Sequence, residues 1–327
     1  MRTVEPVVSV VVATHERAAL LSRVVHAVEQ QRDVGPVELV IVDDASRDET
    51  WTRLQQLAQE AGIPMQVYRL PRNAGPATAR NVGWRAAKAP VVAFTDDDCV
   101  PHAERLAGLL AGIAAGADVV QGRTRPDPEQ AARHGPFSHT LDVDAEDGFY
   151  QTCNIAYRRD LLERLGGFDE RFRHPTGEDT DLAWRARDAG AATAFTTDAV
   201  VLHDVRPSSI RTHLRDTWRW EGVVLTVREH PALRDRFHRR WFWKPSHPKA
   251  IAAAAGLVVA LGPRRSPGTR VAGVAAAIPY VRYRARVAPL RGGPRRRLAV
   301  IPLALAADLA EVAVLAVASA RYRCLLL

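Results

Sequence analysis

The sequence predicts an α/β fold: a mostly parallel sheet flanked by helices, with a basic helical C-terminal extension. Over the first 120 residues, short apolar runs of strand length alternate with helical stretches. That alternation implies parallel strands covered on both faces. Charge divides the chain a second way. Residues 1–205 hold 22 basic and 31 acidic side chains, net −9, and residues 206–327 hold 23 and 6, net +17. The boundary is therefore set near 205, between an acidic ligand-binding part and a basic part that meets an anionic partner. At 327 residues, 47% hydrophobic, the chain is sized for one core plus an appendage and is neither disordered nor collagen-like. Three scattered cysteines, Cys99, Cys153 and Cys324, exclude a disulfide framework and point to a reducing compartment.

Val7 to Ala13 reads as a buried strand, and the short Met1 to Pro6 lead-in carries no secretory signal. Ala18 to Gln31 is an amphipathic helix and Glu38 to Val42 the next strand. Ser46, with Glu49 three residues on, forms the pattern of a capping box for a helix running to about Ala61. Met65 to Leu70 is a strand, Pro76 to Ala87 a helix and Val91 to Thr95 a strand. Beyond Ala117 the pattern loosens: Asp118 to Gln121 and Tyr150 to Tyr157 read as strands, Asp160 to Leu165 and Asp179 to Ala189 as helices, and Arg125 to Gly148 as loop.

In such sheets ligands bind at the carboxyl ends of strands. Two of those ends are acidic here: Asp43-Asp44, and Asp96-Asp97-Asp98 after Thr95. Crowded carboxylates repel, and a hard divalent cation such as Mg2+ or Mn2+ with oxygen ligands relieves them. The alternative is a solvated acidic turn. No P-loop, dinucleotide fingerprint, nucleophile elbow or zinc-protease motif is present.

At these residues the chain resembles the family-2 inverting glycosyltransferases of GT-A fold. The resemblance is carried by Val8-Ser9-Val10-Val11-Val12-Ala13-Thr14-His15-Glu16-Arg17, Val40-Ile41-Val42-Asp43-Asp44, Asn73-Ala74-Gly75 with Ala79-Arg80-Asn81, and Asp96-Asp97-Asp98. It continues through Cys153 to Arg159, Gly166-Gly167-Phe168-Asp169-Glu170 and Gly177-Glu178-Asp179-Thr180-Asp181-Leu182, covering about residues 6–205. The resemblance implies that Thr14 and Glu16 line the nucleotide pocket and that Asp44 accepts a hydrogen bond from the base. Arg80 is expected near the phosphates or the acidic cluster and Asp97 at the ribose or sugar. Asp96 and Asp98 would hold the Mg2+ or Mn2+, with His203 completing the site. Asp179 would take the proton of the acceptor hydroxyl, and Asn154 and Arg158 would serve the acceptor side or anchor loops. Each has a structural alternative: a turn residue for Thr14, a helix-surface arginine for Arg80, helix-dipole stabilisation for Asp179, a core histidine for His203.

Four of the seven tryptophans lie between Trp218 and Trp243, interleaved with arginines, which suits an anionic headgroup zone. The tracts Ala250 to Gly262 and Val271 to Val281 are shorter than the roughly 20 residues of a span. Leu298 to Ala320 is long enough but contains Pro302, Asp308 and Glu311. Helices lying on the leaflet or packed on each other are favoured over a pass.

The sequence thus predicts a metal-dependent inverting glycosyltransferase, residues 1–205 being its nucleotide-sugar domain and 206–327 a membrane-associating region. The expected donor is a nucleoside diphosphate sugar, by family frequency a UDP-sugar, and the acceptor a hydroxyl of a lipid-linked or cell-envelope glycan. The other expectations are cytoplasmic location at the inner face of the cell membrane, an anionic membrane surface as partner, a possible homo-oligomer and no nucleic acid. The competing reading is a non-catalytic sugar-nucleotide-binding or scaffolding protein of the same fold.

Overall fold

The computed structural model of the chain describes residues 5–287 and 294–327, with side chains described from residue 298 onward in the second stretch. Residues 1–4 of the lead-in read as free of a signal lie outside the described residues. The chain divides into two compact units. One comprises Met1–Glu129 with Thr140–Asp204, and the other Gln130–His139 with Val205–Leu327.

The first unit runs β1 (Val8–Thr14), α1 (Ala18–Glu29), β2 (Val37–Asp43), α2 (Thr50–Glu60), β3 (Met65–Arg69), α3 (Pro76–Ala86), β4 (Val91–Asp96), β5 (Cys99–Pro101), α4 (Arg105–Ala114), β6 (Val119–Pro126), β7 (Ile155–Arg158), α5 (Arg159–Leu165), α6 (Glu178–Asp188) and β8 (Thr193–His203). Among the described residues eight strands form one sheet in the order β3-β2-β1-β4-β7-β6-β8-β5. Strands β1 to β4 pair in parallel, β7 runs antiparallel to β4 and β6, and β5 antiparallel to β8. The central strands are buried on both faces, which is why they read as unbroken valine-rich runs. Val8, Val10 and Val12 pack with Leu21, Val24 and Val28 of α1 on one side. On the other, α3 comes so close that a Cβ on Gly83 would lie 2.5 Å from Val11.

Three expectations are corrected. The capping box does not form: α2 starts at Thr50 with Glu49 at its N-cap and no side-chain cap. The Ser46 hydroxyl is taken instead by Asp43 and by the Glu16 amide, and Asp48 Oδ1 accepts the Thr50 amide at 3.0 Å. The Tyr150 to Tyr157 strand begins only at Ile155, after a 3-10 turn over Thr152–Asn154. The third correction is that the sheet is larger than expected, because β5, the full length of β8 and the end of β6 were not recognised as strands.

That turn has a purpose in packing. Between β6 and β8 the register shifts at Gly122/Arg123, and the Asn154 side chain donates there to Arg123 O at 2.8 Å and Ala199 O at 2.9 Å. Its Oδ1 accepts from Arg105 Nε at 2.8 Å. Asn154 is fully buried and so anchors the sheet. Arg158 likewise donates to Ile113 O at 2.9 Å, closing the end of α4.

The second unit is helical: α7 (Ile210–Asp216), α8 (Glu221–Glu229), α9 (His247–Leu261), α10 (Pro267–Ala275), α11 (Ile278–Val287) and α12 (Pro294–Tyr322). The tract Val271 to Val281 is therefore two helices. Ala250, Ala253 and Tyr280 pack against Ile301, Leu305 and Leu309. Asp308 and Glu311 of α12 are each 1% exposed. Asp308 receives Ser246 Oγ at 3.1 Å, Tyr280 OH at 2.7 Å and the Arg284 guanidinium. Glu311 receives Lys244 Nζ at 2.8 Å on both oxygens, His247 Nε2 at 3.1 Å and His213 Nε2 at 3.3 Å.

Candidate active site

The loops after β1, β2 and β3 enclose a cleft of about 1090 Å³, its lining including His15, Glu16, Ser46, Arg47, Arg69 and Arg72. Parallel strands end on one side, so their following loops converge there. Glu16 has a left-handed backbone (φ 55), and its amide donates to Ser46 Oγ at 2.8 Å, tying the first loop to the second. Asp43 is held by Ser46 and by Arg69 at 3.2 Å. Asp44 turns to the third loop: its oxygens accept the amides of Ala74 at 2.7 Å and Gly75 at 2.8 Å. Gly75 is required there. Its φ is +92°, and a Cβ would sit 2.2 Å from the Arg173 carbonyl oxygen.

One strand over, at the end of β4, the carboxylates gather. Register puts Asp96 beside Ala13 and Asp43 beside Thr14. Thr14, 3% exposed, donates its hydroxyl to Asp97 Oδ2 at 2.7 Å, and Arg17 Nε lies 3.6 Å from Asp97 Oδ1. Burial, and next the charge of Asp98, push Asp97 up to about 7 in spite of those partners. Arg80, 6% exposed, reaches from α3 with one guanidinium nitrogen 2.8 Å from Asp96 Oδ1 and the other 2.8 Å from Glu178 Oε1. The buried Oε2 of Glu178 has no hydrogen-bond partner among the described residues. Asp179, the second residue of α6, has Oδ1 on the Thr180 amide at 2.7 Å. Burial and the neighbouring Glu178 charge push its carboxyl up to about 8, Arg80 opposing.

Asp98 faces His203, the last residue of β8, with 3.7 Å between Oδ1 and Nε2. His203 Nδ1 lies 2.9 Å from the Asp204 carbonyl. A carbonyl only accepts, so Nδ1 carries a proton; in the neutral ring that leaves the lone pair on Nε2, the tautomer of a metal-ligating imidazole. Asp98, His203 and Cys99 can bring ligand atoms within 4.8 Å of one another. Within that group the Asp98 oxygen and the His203 nitrogen suit a divalent cation, with the Cys99 sulfur as a softer third donor.

The structure therefore joins Asp96, Arg80 and Glu178 in one chain of contacts, with Asp179 next to Glu178 and feeling their charges, and pairs Thr14 with Asp97 and Asp98 with His203. Glu16 is on the cleft wall, while Thr14 and Asp44 are buried with their side chains taken by Asp97 and by the third loop. Asp96, Asp98 and Asp179 lie outside the cleft lining. Sequence reasoning missed Asn81, which bonds the Phe168 amide and carbonyl, each at 2.9 Å, and so fixes the Gly-Gly-Phe-Asp turn before α6. Its adjacency to Arg80 was the available signal.

The family model described as glycosyl transferase family 2 matches residues 9–166. Those residues form a glycosyl transferase family 2 domain. Among relatives of this glycosyltransferase, AglE of Haloferax volcanii is 28% identical over 215 residues, covering 63% of this chain and 70% of its own. The pre-mycofactocin glycosyltransferase of Mycobacterium tuberculosis is 29% identical over 223 residues, 64% of this chain and 44% of that protein. The chain thus spans less than half of the mycobacterial relative. Among solved structures, the mannosyltransferase PcManGT from Pyrobaculum calidifontis, in complex with GDP-Man and Mn2+, superposes with TM-score 0.59 at 21% identity, covering 95% of this chain and 88% of its own. The fold is of GT-A type.

Proposed function

We propose that this glycosyltransferase is metal-dependent and inverting, and moves a sugar from a nucleoside diphosphate donor to a hydroxyl of a lipid-linked or cell-envelope glycan. The observation that carries this is the contact chain from Asp96 through Arg80 to Glu178, beside Asp179 with its raised carboxyl. Asp96, Asp98 and His203 would hold the cation, which when bound neutralises charge on the departing diphosphate. Asp179 takes the acceptor proton: Thr180 engages Oδ1, which leaves Oδ2 for the hydroxyl. Once ionised, a carboxylate of raised pKa is a stronger base than an ordinary one, and the neighbouring Arg80 charge favours that ionised form. The acceptor oxygen forms its bond to the anomeric carbon as the carbon–diphosphate bond breaks, the electron pair leaves with the nucleoside diphosphate, and configuration inverts in a single displacement. Arg80 holds Asp96 and Glu178 at fixed separation, and the cleft carrying Glu16, Arg47 and Arg72 takes the nucleoside.

The Pyrobaculum protein was solved with a guanosine donor and Mn2+, so the test spans both bases. Thermal stabilisation by GDP, UDP and other diphosphates is measured with and without Mn2+. Stabilisation by one diphosphate, enhanced by Mn2+, is expected. No response to any would remove the transferase reading. The non-catalytic alternative predicts the same binding with no sugar transfer. We further read the protein as acting at the inner face of the cell membrane, with the basic region toward anionic lipid.

A further inference from the structure

We propose that the hairpin of α9 and α10, together with the outer face of α12, forms a monotopic docking surface for an anionic phospholipid bilayer. Apolar side chains enter the leaflet, arginines meet the phosphates, and no helix crosses. This rests on the membrane placement proposed above and assigns the surface that performs it.

All the exposed large apolar side chains among the described residues, Val7 excepted, lie after residue 205. The most exposed are Val258 (72%) and Leu261 (84%) on α9, Val271 (70%) on α10 and Val317 (71%) on α12. Val258 and Leu261 are three apart, as are Val271 and Val274, so each pair shares a helix face. The reason they point outward is in the hairpin's inner face. A Cβ on Gly256 would lie 2.4 Å from the Gly273 carbonyl oxygen, and one on Gly273 2.5 Å from that of Gly256. The two backbones touch, as in helices that pack in lipid, so bulky residues fit only on the outside. Arg264 and Arg265 in the turn and Arg270 on α10 are exposed beside them, within a region of net charge +17. An apolar surface rimmed by arginine complements an anionic bilayer.

Leu298–Tyr322 has the length and composition of a membrane span, but its acids dictate otherwise. Asp308 and Glu311 are bound to Arg284, Lys244, His213 and His247, which come from three other parts of this unit. Crossing would break those contacts or carry the cations into hydrocarbon. With its acids turned inward, the outer face of α12 is left apolar.

The test is sedimentation of the full chain with vesicles of phosphatidylcholine alone or mixed with phosphatidylglycerol, at low and high salt. Binding to the anionic vesicles only is expected. R264Q/R265Q/R270Q should weaken it about 100-fold, at roughly fivefold per arginine, and V258E/L261E should abolish it while circular dichroism stays unchanged. Undiminished binding by V258E/L261E would overturn insertion, and absence of binding by the parent chain would overturn the surface altogether. A dimer in sedimentation equilibrium that V258E/L261E dissociates, without vesicle binding, would reassign the face to self-association. Protection of one end of α12 from protease added outside sealed vesicles, with the other end cleaved, would overturn the monotopic arrangement in favour of a span. Nucleoside diphosphate stabilisation in the same samples separates the two readings: retained stabilisation with lost vesicle binding defeats the docking surface and leaves the transferase standing.

Discussion

In the N-terminal unit, Asp96, Asp97, Asp98, Glu178 and Asp179 crowd around Arg80, Arg17 and His203, and burial with mutual repulsion raises the carboxyls of Asp97, Glu178 and Asp179. In the C-terminal unit, Asp308 and Glu311 are equally buried but surrounded by Arg284, Lys244, two histidines, a tyrosine and a serine. Burial alone would raise Glu311; hydrogen bonds from His213 and His247 and the Lys244 charge hold it well below the usual range. Two clusters of similar composition thus have opposite electrostatics. Buried charge that is fully matched builds architecture, whereas buried charge left in deficit marks a candidate functional site.

The comparison breaks most directly at Asp179. Asp179→Asn should lower turnover by about a thousandfold, ~4 kcal/mol of barrier, while thermal shifts report unchanged donor affinity; unchanged turnover would exclude it as the base. Next comes Glu311→Ala, which strands Lys244 and two histidines. It should cost about 3–5 kcal/mol in urea unfolding of the C-terminal unit, whereas Asp97→Asn should leave the metal-free protein as stable or more so. Equal losses from both would erase the distinction. Gly75→Ala, forced against the Arg173 carbonyl at positive φ, should cost about 1–3 kcal/mol and weaken nucleotide binding by loosening the loop that Asp44 holds. The smallest effect is in pH. Folded Asp179 keeps its proton to about pH 8 against an ordinary 3.8, so the folded state binds more protons in that window. Melting temperature of the metal-free protein should therefore fall as pH rises through it, and Mn2+ should reverse the trend. Glu311 acts in the other direction: its contribution is present above its ordinary 4.5 and is lost as pH drops below that.

The central sheet was legible because β1, β2 and β4 are long runs buried on both faces. The acidic strand ends were legible for a similar reason, since charge directly after an apolar run stands out. Contacts made at long range were not. Ser46 and Glu49 have capping-box spacing, but Asp43 and the Glu16 amide compete for the same hydroxyl. Asp308 and Glu311 read as obstacles to a membrane because their partners lie up to 98 residues away, at His213. The bridge from Arg80 to Glu178 is of the same kind, 98 residues long.

Residues 130–139 belong with the unit that begins at Val205. The Gln130 side chain accepts the Val205 amide at 2.9 Å, and His139 exchanges backbone bonds with Arg206. On the ribosome, that stretch emerges well before its partners exist. At 5–20 residues per second it waits on the order of ten seconds, during which the rest of the sheet is still being made. A chain released after Asp204 would leave that stretch without the partners it bonds in the helical unit.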